Sequence, residues 1–334
     1  MREPLDSFYH LTPECVMQAI ERLGLHCNGY QLALNSYENR VYQIGLEGQP
    51  TVVAKFYRPQ RWSNEAILEE HQFTIELEDL DIPVVPPLIL DGKTLHSFAA
   101  YRFALYPLCA GRAPDLESSL QLQQLGRFMG RIHALGGSRS FIHRPTLNLH
   151  SFGDASYDYL LDHAFIPATL EASYQTLVEG MLNRIEAIFE TVNPRLIRLQ
   201  GDAHAGNILW KSGLQGASGS PYMLDFDDAR MGPAVQDLWM FLAGGLRSDM
   251  EASLALLLEA YTTFYDFDCA ELALIEPLRT LRMLHHAAWL AQRWQDPIFK
   301  NAFPWFNTTH YWQEHLLALK EQAALLDEEP LQWI

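Results

Sequence analysis

The segment QGDAHAGNILW, residues 200–210, places an aspartate, a histidine and an asparagine directly before a short apolar run. The run that begins at Asn207 is typical of a buried strand. A Gly/Ser-rich stretch, KSGLQGASGSP, follows it, and then a second apolar segment, YMLDFDD. Two apolar runs separated by such a loop predict a β-hairpin. Because a hairpin brings its two ends together, we expect Asn207 and Asp225 to be neighbours.

The polar residues around this hairpin have the chemistry of a phosphoryl-transfer site. Asn207 and Asp225 offer two oxygen ligands with room for water and phosphate, as Mg²⁺ prefers. Asp202 then supplies a carboxylate that can accept a proton from an attacking hydroxyl. Any one Asp or Asn is more often a turn or cap residue. The joint spacing favours the catalytic interpretation, because kinase catalytic loops also separate Asp and Asn by four residues and continue to an Asp-Phe metal segment.

The chain reads as an α+β protein with two lobes. Strands are predicted near residues 30–57 and over IPVVPPLIL and HSFAAYRFALYP, with one helix from about Trp62 to Leu80 between them. Residues 1–105 would then form a small antiparallel β-sheet lobe that binds nucleotide. Residues 106–334 would form a larger, mainly helical lobe that carries catalysis and substrate, with the hairpin inside it.

The small lobe contains a lysine in an unusual position. Lys55 is one of only five lysines and stands inside the apolar run VVAKFY. It is either an edge-strand residue that reaches water or the strand lysine that kinases direct at nucleotide phosphates. Glu69 and Glu70, in the helix that follows, are the candidate ion-pair partners, and we prefer Glu70 because it lies nearer the apolar face.

A glycine-rich phosphate loop is missing before Lys55. The equivalent turn reads Asn35-Ser36-Tyr37-Glu38-Asn39. Small polar residues in such a turn offer backbone amides and a hydroxyl to a phosphate. Ser36 and Asn39 are therefore our candidates for nucleotide binding.

Composition excludes several classes of partner. The formal net charge of −17 argues against nucleic acid or an anionic membrane, since both require a basic surface. No apolar run approaches the ~20 residues that span a bilayer. The N-terminus lacks a signal-peptide core, and the four cysteines are scattered. We expect a cytoplasmic protein, monomeric by default because no long heptad pattern is present.

The motifs GDAHAGN and LDFDDAR resemble the aminoglycoside phosphotransferase and choline kinase branch of the protein-kinase-like fold. Further stretches, among them VAKFYRP, ILEEHQF and DDARMGPAVQDLWM, are similar to bacterial serine/threonine protein kinases of that branch. The resemblance implies ATP as co-substrate, Mg²⁺ on Asn207 and Asp225, Asp202 as proton acceptor, and a role in stress response. It also implies Ser36 and Lys55 at the nucleotide and adenine near residues 105–108.

Two departures and two alternatives accompany this resemblance. Gln200 stands where such kinases have a histidine, and the turn at 211–221 is longer and richer in Gly and Ser than expected. A kinase for an amino sugar or amino alcohol would use the same fold. A non-catalytic ATP-binding regulatory module is the other alternative, although such a module would not need Asp202.

Overall fold

The computed structural model describes residues 8–211, 219–242 and 245–333. The chain divides into two compact units. Unit 1 comprises Met1–Asp115, Phe141–Arg144 and His204–Ala229, and unit 2 comprises Leu116–Ser140, Pro145–Ala203 and Arg230–Ile334. The predicted α+β class is confirmed, with an antiparallel sheet in unit 1 and mostly helices in unit 2.

Unit 1 is built on a five-stranded antiparallel sheet in the order β1-β2-β3-β5-β4. Its strands are β1 (Cys27–Ala33), β2 (Arg40–Leu46), β3 (Gln49–Phe56), β4 (His96–Phe98) and β5 (Tyr101–Pro107). The three consecutive strands predicted near 30–57 are therefore present. Alternate residues of β2, β3 and β5 point into one core, where Ile44, Ala54 and Leu105 are fully buried.

One predicted strand is wrong. The segment IPVVPPLIL, residues 82–90, makes only isolated bridges at Val84 and Leu90 and joins no ladder as a strand. Three prolines in nine residues remove the backbone donors that a ladder needs. The fifth strand instead comes from HSFAAYRFALYP, which forms a hairpin of β4 and β5.

The N-terminal segment of unit 1, Met1–Asp115, also contains two helices. Helix α1 (Pro13–Glu21) begins after Thr12, whose side chain caps it by accepting from the Cys15 N–H, and proline occupies its first position. Helix α2 (Asn64–Asp79) is capped by Ser63 in the same way. Its buried face includes Glu70, Phe73 and Leu77, so the helical spacing used to choose Glu70 is reproduced.

The predicted hairpin exists but belongs to unit 1. Strands β7 (Ile208–Lys211) and β8 (Ser220–Met223) pair antiparallel, with Ile208 opposite Met223. Met223 also bridges to Val84, which ties the hairpin to unit 1. The compact units thus differ from the expected division at residues 105 and 106, where the hairpin was counted with the helical part. Most of the long turn, residues 212–218, lies outside the described residues.

Unit 2 is mostly helical. Its elements are α3 (Ser119–Gly136), α4 (Ala155–Asp162), α5 (Ala168–Val192), α6 (Arg247–Tyr261), α7 (Ile275–Gln292), α8 (Pro297–Ala302), α9 (Thr309–Leu325) and the short paired strands β6 (Ile197–Leu199) and β9 (Arg230–Gly232). The mainly helical character predicted for this part of the chain is therefore observed. A 3₁₀ turn over Cys269–Leu274 leads directly into α7.

The core of unit 2 depends on close helix contacts. Helix α3 packs on α6 with Gly126 against the Leu257 carbonyl and Gly130 against the Tyr261 carbonyl. A side chain at either glycine would collide with this backbone. A second cluster joins α5, α7 and α9 through Val178, Leu284 and Leu319, each fully buried. Among the helices described, none combines the length and the apolar character that crossing a membrane requires.

Candidate active site

The hairpin in unit 1 brings Asn207 and Asp225 to the same end, as predicted. The Leu224 backbone N–H donates to the backbone carbonyl oxygen of Asn207 at 2.8 Å, one residue beyond the last pair of the ladder. Asp225 then adopts a left-handed backbone conformation, with φ of +50°. Non-glycine residues adopt this region infrequently, and Asp and Asn do so more readily than most other residues. Its side chain is about half exposed.

Lys55 is paired with this aspartate. Its Nζ lies 2.7 Å from Asp225 Oδ1 and 3.3 Å from Asp227 Oδ1, although 170 residues separate Lys55 from Asp225 in sequence. Burial alone would lower the pKa of Lys55, but the carboxylates of Asp225, Asp227 and Glu70 outweigh it and hold that pKa well above its ordinary value. Lys55 is therefore a buried, charged lysine directed at the hairpin end.

The two candidate glutamates of α2 have different surroundings. The Glu69 carboxylate accepts the backbone N–H groups of Ile142, His143 and Arg144 at 2.6, 2.8 and 2.8 Å. Glu70 is 2% exposed, and its Oε2 accepts no hydrogen bond from the described residues. Burial raises the pKa of Glu70 to about 7 despite the opposing effect of the Lys55 charge. Glu70, the preferred candidate, thus lies in the charged cluster around Lys55, while Glu69 is bound elsewhere.

Asp227 is the centre of that cluster, and sequence reasoning gave it no role. Its carboxylate accepts from Asn39 Nδ2 at 3.0 Å and forms an ion pair with the Arg61 guanidinium. Burial alone would raise the pKa of Asp227, but Arg61, Lys55 and Arg144 hold it well below its ordinary value. The sequence shows three acids in LDFDD and two arginines in FYRPQRW. It does not indicate that Arg61 pairs with Asp227, 166 residues away.

The two candidate residues of the predicted phosphate-binding turn have different surroundings in the structure. Ser36 lies half-buried in the turn between β1 and β2. Asn39 is 3% exposed, with its Nδ2 donating to Asp227 and its Oδ1 accepting the Arg58 N–H at 3.1 Å. A contact of Asn39 with a phosphate stays a prediction.

The described residues contain no group of three or more His, Cys, Asp and Glu side chains arranged around a common point for a metal ion. Asn207 and Asp225, at the same end of the hairpin, would contribute two side-chain oxygens to a metal site. Mg²⁺ is often held by one or two protein oxygens together with water and substrate phosphate. The pair fits such an ion, with the exposed half of the Asp225 side chain available for contact.

In unit 2, a buried carboxylate holds the backbone of the loop that carries Asp202. Asp237, fully buried, accepts the backbone N–H groups of Gln200 at 2.7 Å and Gly201 at 2.8 Å. Gln236 Nε2 donates to the Gly201 carbonyl at 3.2 Å. Gln200, the departure from the expected histidine, accepts the Asp202 N–H with its side-chain oxygen at 2.8 Å. The backbone around Asp202 is therefore held by charge-assisted bonds.

The Asp202 carboxylate itself meets a cation. Arg282 Nη1, on α7, lies 2.5 Å from Asp202 Oδ1. The Arg282 side chain is 40% exposed and that of Asp202 is 25% exposed, so the pair borders solvent. Sequence reasoning did not find Arg282, because it lies 80 residues away and nothing in its local sequence distinguishes it from Arg279 on the same helix.

Comparisons with known proteins show the family of this chain. The chain belongs to the phosphotransferase enzyme family, whose family model matches residues 30–275. It is 40% identical to stress response kinase A of Escherichia coli strain K12 over 326 residues, which cover 98% of this chain and 97% of that protein. It is also 40% identical to the serine/threonine protein kinase RdoA of Salmonella typhimurium strain LT2, over 99% of this chain and 98% of that protein.

Solved structures with the same fold include small-molecule kinases. An amicoumacin kinase solved with AMP-PNP and Ca²⁺ has a TM-score of 0.71 at 17% identity, covering 96% of this chain and 95% of that chain. A microcompartment-associated aminopropanol kinase has a TM-score of 0.73 at 16% identity, covering 95% and 97%. The predicted family resemblance, the kinase-like fold and the phosphotransferase class are confirmed.

Proposed function

We propose that this protein is an ATP- and Mg²⁺-dependent serine/threonine protein kinase that transfers the γ-phosphoryl group to a side-chain hydroxyl. The observation that carries the chemistry is the buried Lys55 bound to Asp225 at the hairpin end that also holds Asn207. A buried lysine beside a metal-binding aspartate is the arrangement that phosphoryl transfer uses to neutralise phosphate charge.

Asp202 is the residue that we assign to the proton. Its carboxylate would accept the hydrogen bond of the attacking hydroxyl and then its proton. The hydroxyl oxygen would form a bond to the γ-phosphorus as the bond from that phosphorus to the β–γ bridging oxygen breaks and ADP leaves. Asp237 and Gln200 support this role, because they fix the backbone on both sides of Gly201 and so limit how far the carboxylate moves. Precise positioning of the acceptor is a large part of catalysis in this reaction class.

Asn207 and Asp225 would hold the Mg²⁺ ion, which would neutralise the charge that develops during transfer. Asp225 Oδ1 accepts a hydrogen bond from Lys55 Nζ. Nucleotide phosphates would offer Lys55 alternative anionic partners, which would leave Asp225 available for the ion. Asp227 and Glu70 then remain near Lys55 as the carboxylates that keep it charged.

Nucleotide binding is assigned to unit 1. Ser36 would contact a phosphate with its hydroxyl, beside the backbone of the turn that Asn39 fixes through Asp227. Adenine would lie along the backbone of residues 105–108, at the end of β5. The acceptor-binding function is assigned to unit 2, which carries Asp202.

The protein acceptor is supported by the names of two relatives that align over nearly the whole chain at 40% identity. The name of the first relative also supports a role in stress response. Action in the cytoplasm as a monomer is proposed from the sequence alone. A small-molecule kinase is the second candidate, favoured by the aminopropanol and amicoumacin kinases that share the fold. Their identities of 16–17% concern the fold rather than the acceptor.

The test is transfer from γ-labelled ATP with Mg²⁺ to a mixture of bacterial proteins and, separately, to a small-molecule extract. We expect label on protein. Asp202→Asn should lower the rate about 10²–10⁴-fold while ATP affinity stays unchanged. Asp225→Asn should also weaken Mg²⁺-dependent ATP binding. Asp162→Asn, an exposed change at the end of α4, is the matched control and should behave as wild type.

Each other result has a distinct meaning. Label only in the small-molecule fraction would assign the chain to the metabolite kinases. No transfer with intact ATP binding would favour the regulatory module. Equal loss of ATP binding in Asp202→Asn and Asp225→Asn would contradict the role of Asp202 as the proton acceptor.

A further inference from the structure

The ion pair between Asp202 and Arg282 places a positive charge where the acceptor hydroxyl must arrive. A hydroxyl that donates to Asp202 lies about 2.6–3.2 Å from its carboxylate. Arg282 Nη1 lies 2.5 Å from the same carboxylate. The guanidinium therefore adjoins any group that the acceptor carries close to its hydroxyl. A guanidinium has five N–H donors, and the bond to Asp202 Oδ1 uses one nitrogen.

The helix that carries Arg282 is locally basic in an acidic protein. The chain has 41 acidic residues, yet none occurs between Glu276 and Asp296, a span that covers most of α7. The same span contains three arginines, including Arg282, and two histidines. His286, one helical turn after Arg282, interacts electrostatically with both Arg282 and Asp202. The part of α7 near Asp202 therefore carries positive charge, whereas the net charge of the chain as a whole is negative.

A second cation lies over the neighbouring aromatic residues of unit 2. Phe152 stacks on His285 with ring centroids 4.2 Å apart. The Arg230 guanidinium lies 4.8 Å from the centre of the same Phe152 ring. His285 immediately precedes His286 on α7, so this cation–aromatic group continues the basic side of the helix beyond Arg282.

We propose that Arg282 is an acceptor-recognising residue that selects hydroxyls flanked by a negatively charged group, in the proposed protein kinase a serine or threonine next to Asp or Glu. A planar guanidinium binds a carboxylate through two parallel hydrogen bonds, which gives both attraction and orientation. An ammonium group at the same place would instead meet a like charge at short range. This inference rests on the proposed function for the identity of the acceptor as a peptide.

A purely structural role for Arg282 makes a different prediction. If the guanidinium only orients Asp202, its substitution lowers transfer to every acceptor by the same factor. If Arg282 recognises the acceptor, its substitution changes the ratio between acceptors of opposite charge. The informative quantity is therefore a ratio of kcat/KM values.

The experiment compares two peptides that differ only beside one serine, where one carries glutamates and the other lysines. Wild type should prefer the acidic peptide at least tenfold in kcat/KM. Arg282→Glu should abolish or reverse this preference, and Arg282→Lys, the matched control that retains the charge, should keep it in weaker form. Because the side chain is 40% exposed, these substitutions are compatible with folding, which ATP binding would verify.

A binding measurement makes the result independent of turnover. The same two peptides with alanine in place of serine should bind wild type with at least tenfold different Kd. Equal binding, absent binding, or an unchanged ratio in Arg282→Glu overturns the inference.

Failure of the proposed function gives a separate signal. If neither serine peptide is phosphorylated, ethanolamine and glycolate are the next acceptors, one cationic and one anionic. Transfer to either would contradict the protein kinase. Preference for glycolate would still support selection by Arg282, whereas preference for ethanolamine would overturn it. If none of the four acceptors is phosphorylated, the alanine peptides decide the inference.

Discussion

Replacing Asp227 with asparagine should destabilise unit 1 without removing a ligand of the proposed metal ion. The change keeps the size of the side chain and a carbonyl oxygen, but it removes the negative charge. That charge faces the Lys55 ammonium at 3.3 Å, the Arg61 guanidinium and the Asn39 amide. Asp227→Asn therefore tests whether the cluster depends on this carboxylate.

The magnitude follows from burial and from the partners that remain. The Asp227 side chain is 3% exposed, so water screens its ion pairs weakly. Removing one member of a buried ion pair costs about 3–5 kcal/mol. Arg61 keeps Asp228 at 2.8 Å and Lys55 keeps Asp225 at 2.7 Å. We therefore expect the lower end of that range, about 3 kcal/mol in the free energy of unfolding.

Urea unfolding at neutral pH measures this loss. With an m value of about 2 kcal/mol/M, a loss of about 3 kcal/mol lowers the midpoint of the transition by about 1.5 M. Asp228→Asn is the matched control, because Asp228 binds the same arginine but is one-third exposed, and its loss should cost at most about 1 kcal/mol. A midpoint for Asp227→Asn within the range of the control would refute the assignment of Asp227 as the centre of the cluster.

Three further changes test other parts of the site. Lys55→Met should lower kcat/KM for ATP about 10²–10³-fold, and unchanged steady-state kinetics would contradict its place at the phosphates. Asp237→Asn should cost about 2 kcal/mol by thermal unfolding, because one carbonyl oxygen replaces a charged acceptor of two backbone N–H groups. Kinetics should also show a lower kcat with KM for ATP unchanged, and full activity would exclude a positioning role. Burial raises the pKa of Glu271 from 4.5 to about 7, so its contribution to stability is present below pH 4.5 and is lost as pH rises through about 7. Glu271→Gln should therefore gain about 3 kcal/mol relative to wild type between pH 4.5 and pH 8, and equal pH profiles in urea unfolding would contradict this.

Local signals in the sequence were sufficient for the hairpin and for Lys55. The alternation of apolar runs with a Gly/Ser loop predicted that Asn207 and Asp225 meet, and hydrogen bonds at the hairpin end agree. Helical spacing selected Glu70 over Glu69, and the two carboxylates indeed have different partners. These features depend on backbone geometry over a few residues, which periodicity captures.

Long-range charge pairing could not be predicted in the same way. Arg61 and Asp227 are 166 residues apart, and Arg282 lies 80 residues from Asp202. Many arginines compete for such roles, and only the tertiary fold selects among them. The strand expected over 82–90 is absent for a local reason instead. The segment is apolar, but its three prolines lack the N–H donors that pairing in a sheet requires. The prolines alone were sufficient to reject that strand.

The three backbone N–H groups bound by Glu69 have a consequence for regulation. They tie α2 to residues 142–144, and the Phe73 ring packs nearly perpendicular to the rings of both Phe141 and Phe226. Many protein kinases are switched by a swing of the corresponding helix, which removes its glutamate from the strand lysine. Here such a swing would break three charge-assisted hydrogen bonds and two aromatic contacts at once. These contacts hold α2 in position. We therefore expect a regulator of this enzyme to act on access of the substrates rather than on the position of Glu70.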